Sequence, residues 1–579
     1  MLYLKNELEK ELFENAVPKT LAKYDPERRM VKTRRGANGY HSRLVNCDVH
    51  EYRESFELAY MLFNRDAEGD RAIAHDLLYR IIPKQDINPE SKTYGIWAYF
   101  LEEDLEQMNP PDWNMADFNT KNLINILNEH ADKLTDDMKM RVKDAIIHGC
   151  RSIIRRNMGP HYTNISVMGA YDTIVAGELL GIKDIFEYGK QRLKTLHEYN
   201  VSKGNFSEFN SPTYTFVCID DLARMVTDIK DEECLRLANE LNDLAWKTIA
   251  LHYHPTTGQL AGPHDRAYGA LVNDRTRFLI ARALDHKISL VSPEKMRTVG
   301  MHANDFSRNV TCPEKFVPYF LDIDGERILD DTFASGRRAY TYMNKAYTLG
   351  SLHREMAWNQ HRNVLGYFGT VERPVSVTIR SQHNFWDYCA SFMYTVQDRG
   401  RALTTTSFTS TGCDTHCCLD KINDSTIKAT DMRVRYLFEG AVDALDVAQD
   451  GSTFVITHKE SNVKVKIVYS HAKFGKFDVR YEVFRSGNTL SVDAVLYSGE
   501  EIDIHLNELE TAGVVSSIEM TDGELSGLDT VTVIEGDRMV STFGNLKVSF
   551  TEKVIPMIGT ATFETLYLER DGEEYKPAF

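Results

Sequence analysis

The densest run of side chains able to do chemistry is Gly204-Asn205-Phe206-Ser207-Glu208-Phe209-Asn210-Ser211-Pro212-Thr213-Tyr214, which lies between two helical patterns and opens the second. A carboxylate, an amide and a phenol on one such loop can be aimed into a cleft while the flanking helices stay rigid. The run also has a purely architectural reading, in which Ser211-Pro212 starts a helix and Glu208 satisfies backbone donors. A second cluster, Gly159-Pro160-His161-Tyr162-Thr163-Asn164, opens another helix, and Asn164 either caps it or faces a ligand. A third, Gly262-Pro263-His264-Asp265-Arg266-Ala267-Tyr268, offers an imidazole, a guanidinium and a phenol, or else a surface turn with an Asp-Arg pair.

A fourth stretch, Pro110-Pro111-Asp112-Trp113-Asn114, sets an aromatic ring beside amide and carboxylate groups, the mix that stacks on and hydrogen-bonds to a sugar. Trp97 reads as core. Further along, Tyr340, Tyr342, Trp358, Asn359, His361 and Arg362 are candidates for a face of the second half that looks toward the helices, although strand aromatics commonly serve packing. His161, Asn210, Trp113, Asn114, Tyr268 and Trp358 are accordingly the candidate substrate contacts. Cys413, His416, Cys417 and Cys418 have no second Cys/His pair at zinc spacing, and His252 and His254 share a face only on a strand, so no metal site is expected. There is no phosphate loop, no dinucleotide fingerprint and no Gly-x-Ser-x-Gly elbow, which leaves nucleotide cofactors and serine hydrolysis without support.

Charge narrows the partners. Lys plus Arg number 68 against 85 for Asp plus Glu, and the net charge of -17 repels phosphate backbones and anionic membranes. Nucleic acid and membrane are not expected partners, whereas a local His and Arg cluster can still hold an anionic sugar. Nine cysteines without framework spacing fit reduced thiols. The start, Met1-Leu2-Tyr3-Leu4-Lys5-Asn6-Glu7, lacks a signal-type apolar stretch, so the expected location is cytoplasmic.

The elements that must hold these loops come in two kinds. Up to about residue 300 apolar residues recur at helical spacing, as in Met138, Val142, Ile146, Cys150 and Ile153, then Met168, Tyr171, Val175 and Leu179. After about residue 330 the period becomes two, as in Val463, Val465, Ile467 and Tyr469, and in Phe477, Val479, Tyr481 and Val483. Arg485-Ser486-Gly487-Asn488, Gln449-Asp450-Gly451 and Thr521-Asp522-Gly523 supply tight turns. The expected division is a helical domain over 1–300 and an antiparallel β-sandwich over 301–579 that includes a connection at 286–330.

His161-Tyr162-Thr163-Asn164, followed by Gly177-Glu178-Leu179-Leu180-Gly181, and the loop from Gly204 to Tyr214 resemble the motifs of polysaccharide lyases of the heparinase II/III and alginate lyase type. The resemblance implies an N-terminal (α/α) toroid followed by a C-terminal antiparallel β-sandwich. It also implies that Asn164 hydrogen-bonds a uronate carboxylate, that Tyr214 moves a proton and that Glu208 braces its loop. Abstracting the proton α to a uronate carboxylate builds charge there, so donors must neutralise it first. Asn164, His264 and Arg266 are the candidates, with Tyr214 or a His as base and Tyr214 protonating the leaving oxygen. This scheme needs no cofactor. Its substrate is a uronic-acid-containing oligosaccharide or polysaccharide, and homo-oligomer formation stays open. A glycoside hydrolase would instead pair Glu208 with Asp112, Asp117, Asp172 or Asp265, and a third reading is a non-catalytic saccharide-binding protein.

Overall fold

The computed structural model describes residues 2–37, 40–334, 336–411, 424–459, 461–472, 477–509, 511–536, 538–551 and 567–574, with residues 422, 474 and 554. Cys413, His416, Cys417 and Cys418 lie outside the described residues. The chain forms two compact units: Met1–Ser202, Tyr214–Trp246 and Asp274–Pro313 in one, and Lys203–Thr213, Lys247–Asn273 and Glu314–Phe579 in the other. Sequence periodicity suggests a single division near residue 300. The observed division is interleaved, because the segments 203–213 and 247–273 pack with the strands, and His264–Asp265 pairs antiparallel with His361–Arg362.

In the helical unit, α1 (Glu7–Leu21) precedes a regular series: α2 (Tyr52–Arg65), α3 (Asp70–Ile81), α4 (Asn114–His130), α5 (Asp136–Arg156), α6 (Thr163–Leu180), α7 (Lys183–Val201) and α8 (Tyr214–Asp228). Consecutive pairs α2/α3, α4/α5 and α6/α7 pack as hairpins, while α2, α4, α6 and α8 pack side by side, and α3, α5 and α7 do the same. Two concentric rows of this kind are the arrangement of an (α/α) toroid. Burial separates the rows. Every residue of α6 from Thr163 to Gly177 is buried, whereas α7 buries Ile185, Gly189, Leu193, Leu196 and Asn200, one stripe at helical spacing. Close approach within the α6/α7 hairpin depends on glycine: a Cβ at Gly177 would meet the Phe186 backbone at 2.6 Å. The periodic run from Met138 to Ile153 is buried on α5, which Thr135 caps by accepting from the Met138 amide and which ends at Asn157 in the left-handed region.

The second unit is antiparallel throughout its main sheets. One sheet has its long strands Pro374–His383, Thr426–Gly440 and Thr489–His505 side by side, in the register Arg380↔Arg435↔Asp493. A seven-stranded sheet includes Ser391–Asp398, Arg401–Phe408, Ser461–Ala472 and Ala512–Thr521. Alternation assigns the faces: Val377, Ile379, Tyr436, Phe438 and Val492 meet Val463, Val465, Ile467, Val514 and Ile518 in one core between the sheets. This is the β-sandwich expected from the period of two. Gly487 and Gly451 sit at positive φ in two-residue hairpins, as their turn signals require.

Two readings shift. The strand expected over Phe477–Val483 runs Arg480–Ser486 at the sheet edge, where only one neighbour imposes pairing. Tyr340 and Tyr342, candidates for a functional face, are 4% and 6% exposed members of the sandwich core. Trp97 is core as expected, with its indole donating to the Ile81 carbonyl at 3.0 Å. Among the described residues no helix is long and apolar enough to cross a membrane.

Candidate active site

Both units carry a cluster of the sequence candidates. In the helical unit α4, α6 and α8 alternate with antiparallel partners, so their N-termini share one end of the inner row. Trp113 and Asn114 open α4, Thr163 and Asn164 open α6, and Tyr214 opens α8. Three helix N-termini give that end positive potential and a surplus of N–H donors, which favours an anionic ligand. Asn114 donates to the Tyr162 hydroxyl at 3.4 Å and accepts from Arg156, which ties the Trp113-Asn114 cluster to the His161-Asn164 cluster. Trp113 donates its indole N–H to Lys92 O at 2.9 Å, His161 is exposed, and Tyr214 is partly exposed.

Asn164 is not the helix cap. Tyr162 occupies that position without a side-chain cap bond, and Asn164 sits inside the first turn, 3% exposed. The turn is held from outside by Arg192, which donates to Ile165 O at 3.1 Å and Ser166 O at 3.2 Å.

In the strand-bearing unit the loop 204–213 is stitched to the segment 261–266. Asn210, at φ 45°, donates its amide to Ala261 O at 2.7 Å and Pro263 O at 3.0 Å. Ser211 donates to Arg266 O at 2.6 Å, and the Asp265 amide donates to Phe209 O at 3.0 Å. Phe209 stacks on Phe333 with ring centres 4.5 Å apart. The geometry makes Asn210 a brace, its side chain committed to backbone carbonyls.

Glu208 and Arg266 form an ion pair at 3.3 Å; Arg266 also donates to Gln360 Oε1 at 2.7 Å and lies 5.4 Å from the centre of the Trp358 ring. Arg266 adopts φ 72°, a strained conformation for a non-glycine residue that aims its side chain across Trp358. This cluster offers what an acidic sugar binds: a guanidinium with partial solvent access above an aromatic face. Tyr268 projects into solvent at 60% exposure.

Two expected participants lie beneath this surface. His264 is fully buried, and burial, with His252 and Arg362 nearby, pushes its pKa down to about 3, so the ring is neutral at physiological pH. As a neutral ring it can act as a donor but not as a cation. Burial would raise the Asp265 carboxyl, but Arg337, donating at 3.1 and 3.2 Å, and His361 at 2.8 Å hold it well below the usual range. Both His361 nitrogens are engaged, since Nδ1 faces Met356 O at 3.2 Å.

Of the acids that hydrolysis would need, Asp112 and Asp265 are bonded, while Asp117 and Asp172 are buried. Asp112 accepts from the Tyr99 hydroxyl at 2.5 Å and the Asn114 amide at 3.0 Å. Asp117 and Asp172 are 2% and 0% exposed; burial pushes Asp117 up to about 6 against the pull of Arg192 and Arg156, and pushes Asp172 well above the carboxylate range. Among the described residues no group of three His, Cys, Asp or Glu side chains is placed to hold a metal ion.

A family model described as "Domain of unknown function (DUF8769)" matches residues 11–312, over half of the 579 residues. The chain belongs to that family. The part shared with DUF8769 takes in the helical unit's inner row and the loops that carry Glu208, His264 and Arg266. No curated protein matches the chain in sequence. Among solved structures, the chain is similar to a chondroitin AC lyase of Streptomyces coelicolor A3 in complex with chondroitin sulphate, at 10% identity and TM-score 0.49, over 93% of this chain and 84% of that one. It is similar to heparan sulfate lyase HepC of Pedobacter heparinus at 10% identity and TM-score 0.38, over 98% and 89%. It is also similar to a heparinase III at 12% identity and TM-score 0.35, over 87% and 82%.

Sequence reasoning passed over Gln360, Arg337 and Arg192, which position Arg266, Asp265 and the α6 first turn. One signal for the first was present: Trp358-Asn359-Gln360-His361-Arg362-Asn363 interrupts the apolar alternation with polar and aromatic groups.

Proposed function

We propose that this DUF8769 member is a lyase that cleaves a uronic-acid-containing oligosaccharide or polysaccharide by β-elimination. The observation that carries the reading is the common N-terminal end of α4, α6 and α8 in the helical unit, with Asn164 and Tyr214 both on first turns there. Elimination begins with loss of the proton α to the carboxylate, and negative charge then builds on the carboxylate oxygens. The Asn164 amide and the positive helix ends stabilise that charge. Tyr214, as its phenolate, takes the α proton and, as the phenol so formed, gives it to the departing glycosidic oxygen, while Trp113, Asn114 and His161 contact the sugar.

In the strand-bearing unit, Arg266 above Trp358 is the guanidinium we assign to an acidic sugar, with Glu208 holding it in place. Glycoside hydrolysis fares worse because Asp112 and Asp265 are held by bonds and Asp117 and Asp172, at 2% and 0% exposure, are shut away from a substrate. Incubation with a panel of uronic-acid oligosaccharides, following ultraviolet absorbance of a new carbon-carbon double bond alongside reducing-end release, tests the reading. Both signals should rise together and both should disappear in Tyr214→Phe. Reducing ends without absorbance would replace elimination by hydrolysis.

A further inference from the structure

A strained hairpin tip in the strand-bearing unit holds two aromatic rings out in solvent. Pro374–His383 and Trp386–Asp387 pair antiparallel with His383 opposite Trp386, so the loop between them is Asn384-Phe385 alone. Both residues have positive φ, 48° and 63°, the mark of a two-residue type I′ turn, whose second position favours glycine. A phenylalanine there is held against its backbone preference. Phe385 is 59% exposed and Trp386 52%, so burial of the rings does little to offset that strain.

The tip is nonetheless fixed from beneath. Asn384 Oδ1 accepts from the Thr430 amide at 2.8 Å, the Thr430 hydroxyl at 3.0 Å and the Asp431 amide at 3.1 Å, at a bulge in the strand Thr426–Gly440. Its side-chain amide donates to Lys428 O at 3.2 Å. The Arg433 guanidinium lies 4.8 Å from the centre of the Phe385 ring and is itself clamped by Asp431 at 2.6 Å and Asp493 at 2.7 Å. With that cation answered by carboxylates, the tip presents ring surface to solvent and not charge. Strain kept in a rigid, exposed position is what a ligand contact leaves behind when the fold itself has no use for the side chain.

We infer that Phe385 and Trp386 form a stacking platform for a pyranose ring of a saccharide chain, a place that holds the chain and cleaves nothing. The inference rests on the saccharide reading above. Two such rings offer about 150–250 Å² each, well short of the roughly 800 Å² per partner of a stable protein interface, and a single sugar ring needs no more than an aromatic face with polar groups beside it. Exposed Asn384, Lys428 and Thr430 supply those groups. A nucleobase also stacks on aromatic faces, but the net charge of -17 opposes its phosphates.

Titration of the full chain with hexasaccharides of hyaluronan, chondroitin, alginate and cellulose tests the platform, read by calorimetry and by the part of the tryptophan emission that Trp386→Phe removes. At least one hexasaccharide should bind with a saturable change in Trp386 emission, and added salt should alter that change little, because the contact is uncharged. Phe385→Gly should weaken this binding at least about fivefold, the scale of one stacked ring, while its melting temperature equals or exceeds that of wild type, because glycine suits the turn. Phe385→Tyr should keep the binding. Trp386 emission indifferent to all four sugars, undiminished binding in Phe385→Gly, or a Trp386 response to phosphatidylcholine vesicles in place of sugars would overturn the platform, and a lower melting temperature in Phe385→Gly would overturn it by making the ring structural. An elimination assay run in parallel keeps the readings apart: elimination without a Trp386 response sinks this inference alone, and a Trp386 response without elimination sinks the lyase alone.

Discussion

Replacing Glu208 by glutamine separates a brace from a catalytic acid. Two unit charges 3.3 Å apart attract by about 5 kcal/mol at an effective dielectric of about 20. Glu208 is 4% exposed and has lost most of its hydration, while the Arg266 side chain keeps 22% exposure and some solvent screening. The net loss on removing the charge is therefore about 1–3 kcal/mol. Glutamine preserves shape and an acceptor oxygen, so the loop stays closed through Asn210 and Ser211. Urea unfolding of Glu208→Gln, Arg266→Gln and the double variant should give a coupling energy of about 1–2 kcal/mol. The kcat/KM for elimination should fall by roughly tenfold to a hundredfold, through a less well-held Arg266. A variant as stable as wild type with turnover abolished would refute the reasoning, because Glu208 would then be acting on the substrate itself.

Acid should unfold the strand-bearing unit early. Burial pushes His264 down to about 3 and His254 and His353 to about 4, whereas the unfolded reference is about 6.5. The folded state binds fewer protons than the unfolded one below that reference, so stability is complete above about pH 7 and falls as pH drops. By pH 5 each group should remove about 2 kcal/mol, and denaturation midpoints equal at pH 5 and 7.5 would contradict it. Asp117 has the opposite sign: burial raises it to about 6, so its cost appears as pH rises through about 4 to 6. Asp117→Asn should therefore stabilise the protein at pH 7.5, by at most about 3 kcal/mol, and not at pH 4, which melting curves at both values decide. Asn210→Ala should lose more stability than Asn210→Gly by about 1 kcal/mol, because φ 45° suits glycine. Equal melting temperatures for the two would remove backbone strain from the account of that loop.

Legibility followed contact distance along the chain. The runs Met138 to Ile153 and Val463 to Ile467 announce their elements because each buries one face of a regular repeat. Asn164 and Tyr214 were readable as helix-opening residues for the same reason. The tie from Asn210 to Ala261 and Pro263 joins two loops that no periodicity links. The partners of Asp265 and Arg266, namely Arg337, His361 and Gln360, stand far along the chain. Burial of His264 is not legible in the sequence, because a two-residue strand leaves no alternation to read. A strand aromatic looks alike whether it lines a site or fills a core, and Tyr340 and Tyr342 take the packing role that strand aromatics commonly serve.

The pairing of His264–Asp265 with His361–Arg362 also imposes an order in time. A ribosome adding about 5–20 residues per second releases the first of these segments roughly 5–20 s before the second. During most of that interval Asp265 and Arg266 have emerged while Arg337, Gln360 and His361 have not, so the Asp265 carboxylate lacks the Arg337 and His361 partners it will have and Arg266 lacks the Gln360 acceptor. The helical hairpins, whose partners are adjacent in the chain, can form meanwhile. The polar cluster around Arg266 is thus among the later parts of the newborn chain to acquire its shape, and a polypeptide halted near residue 313 would carry those residues without the strands that orient them.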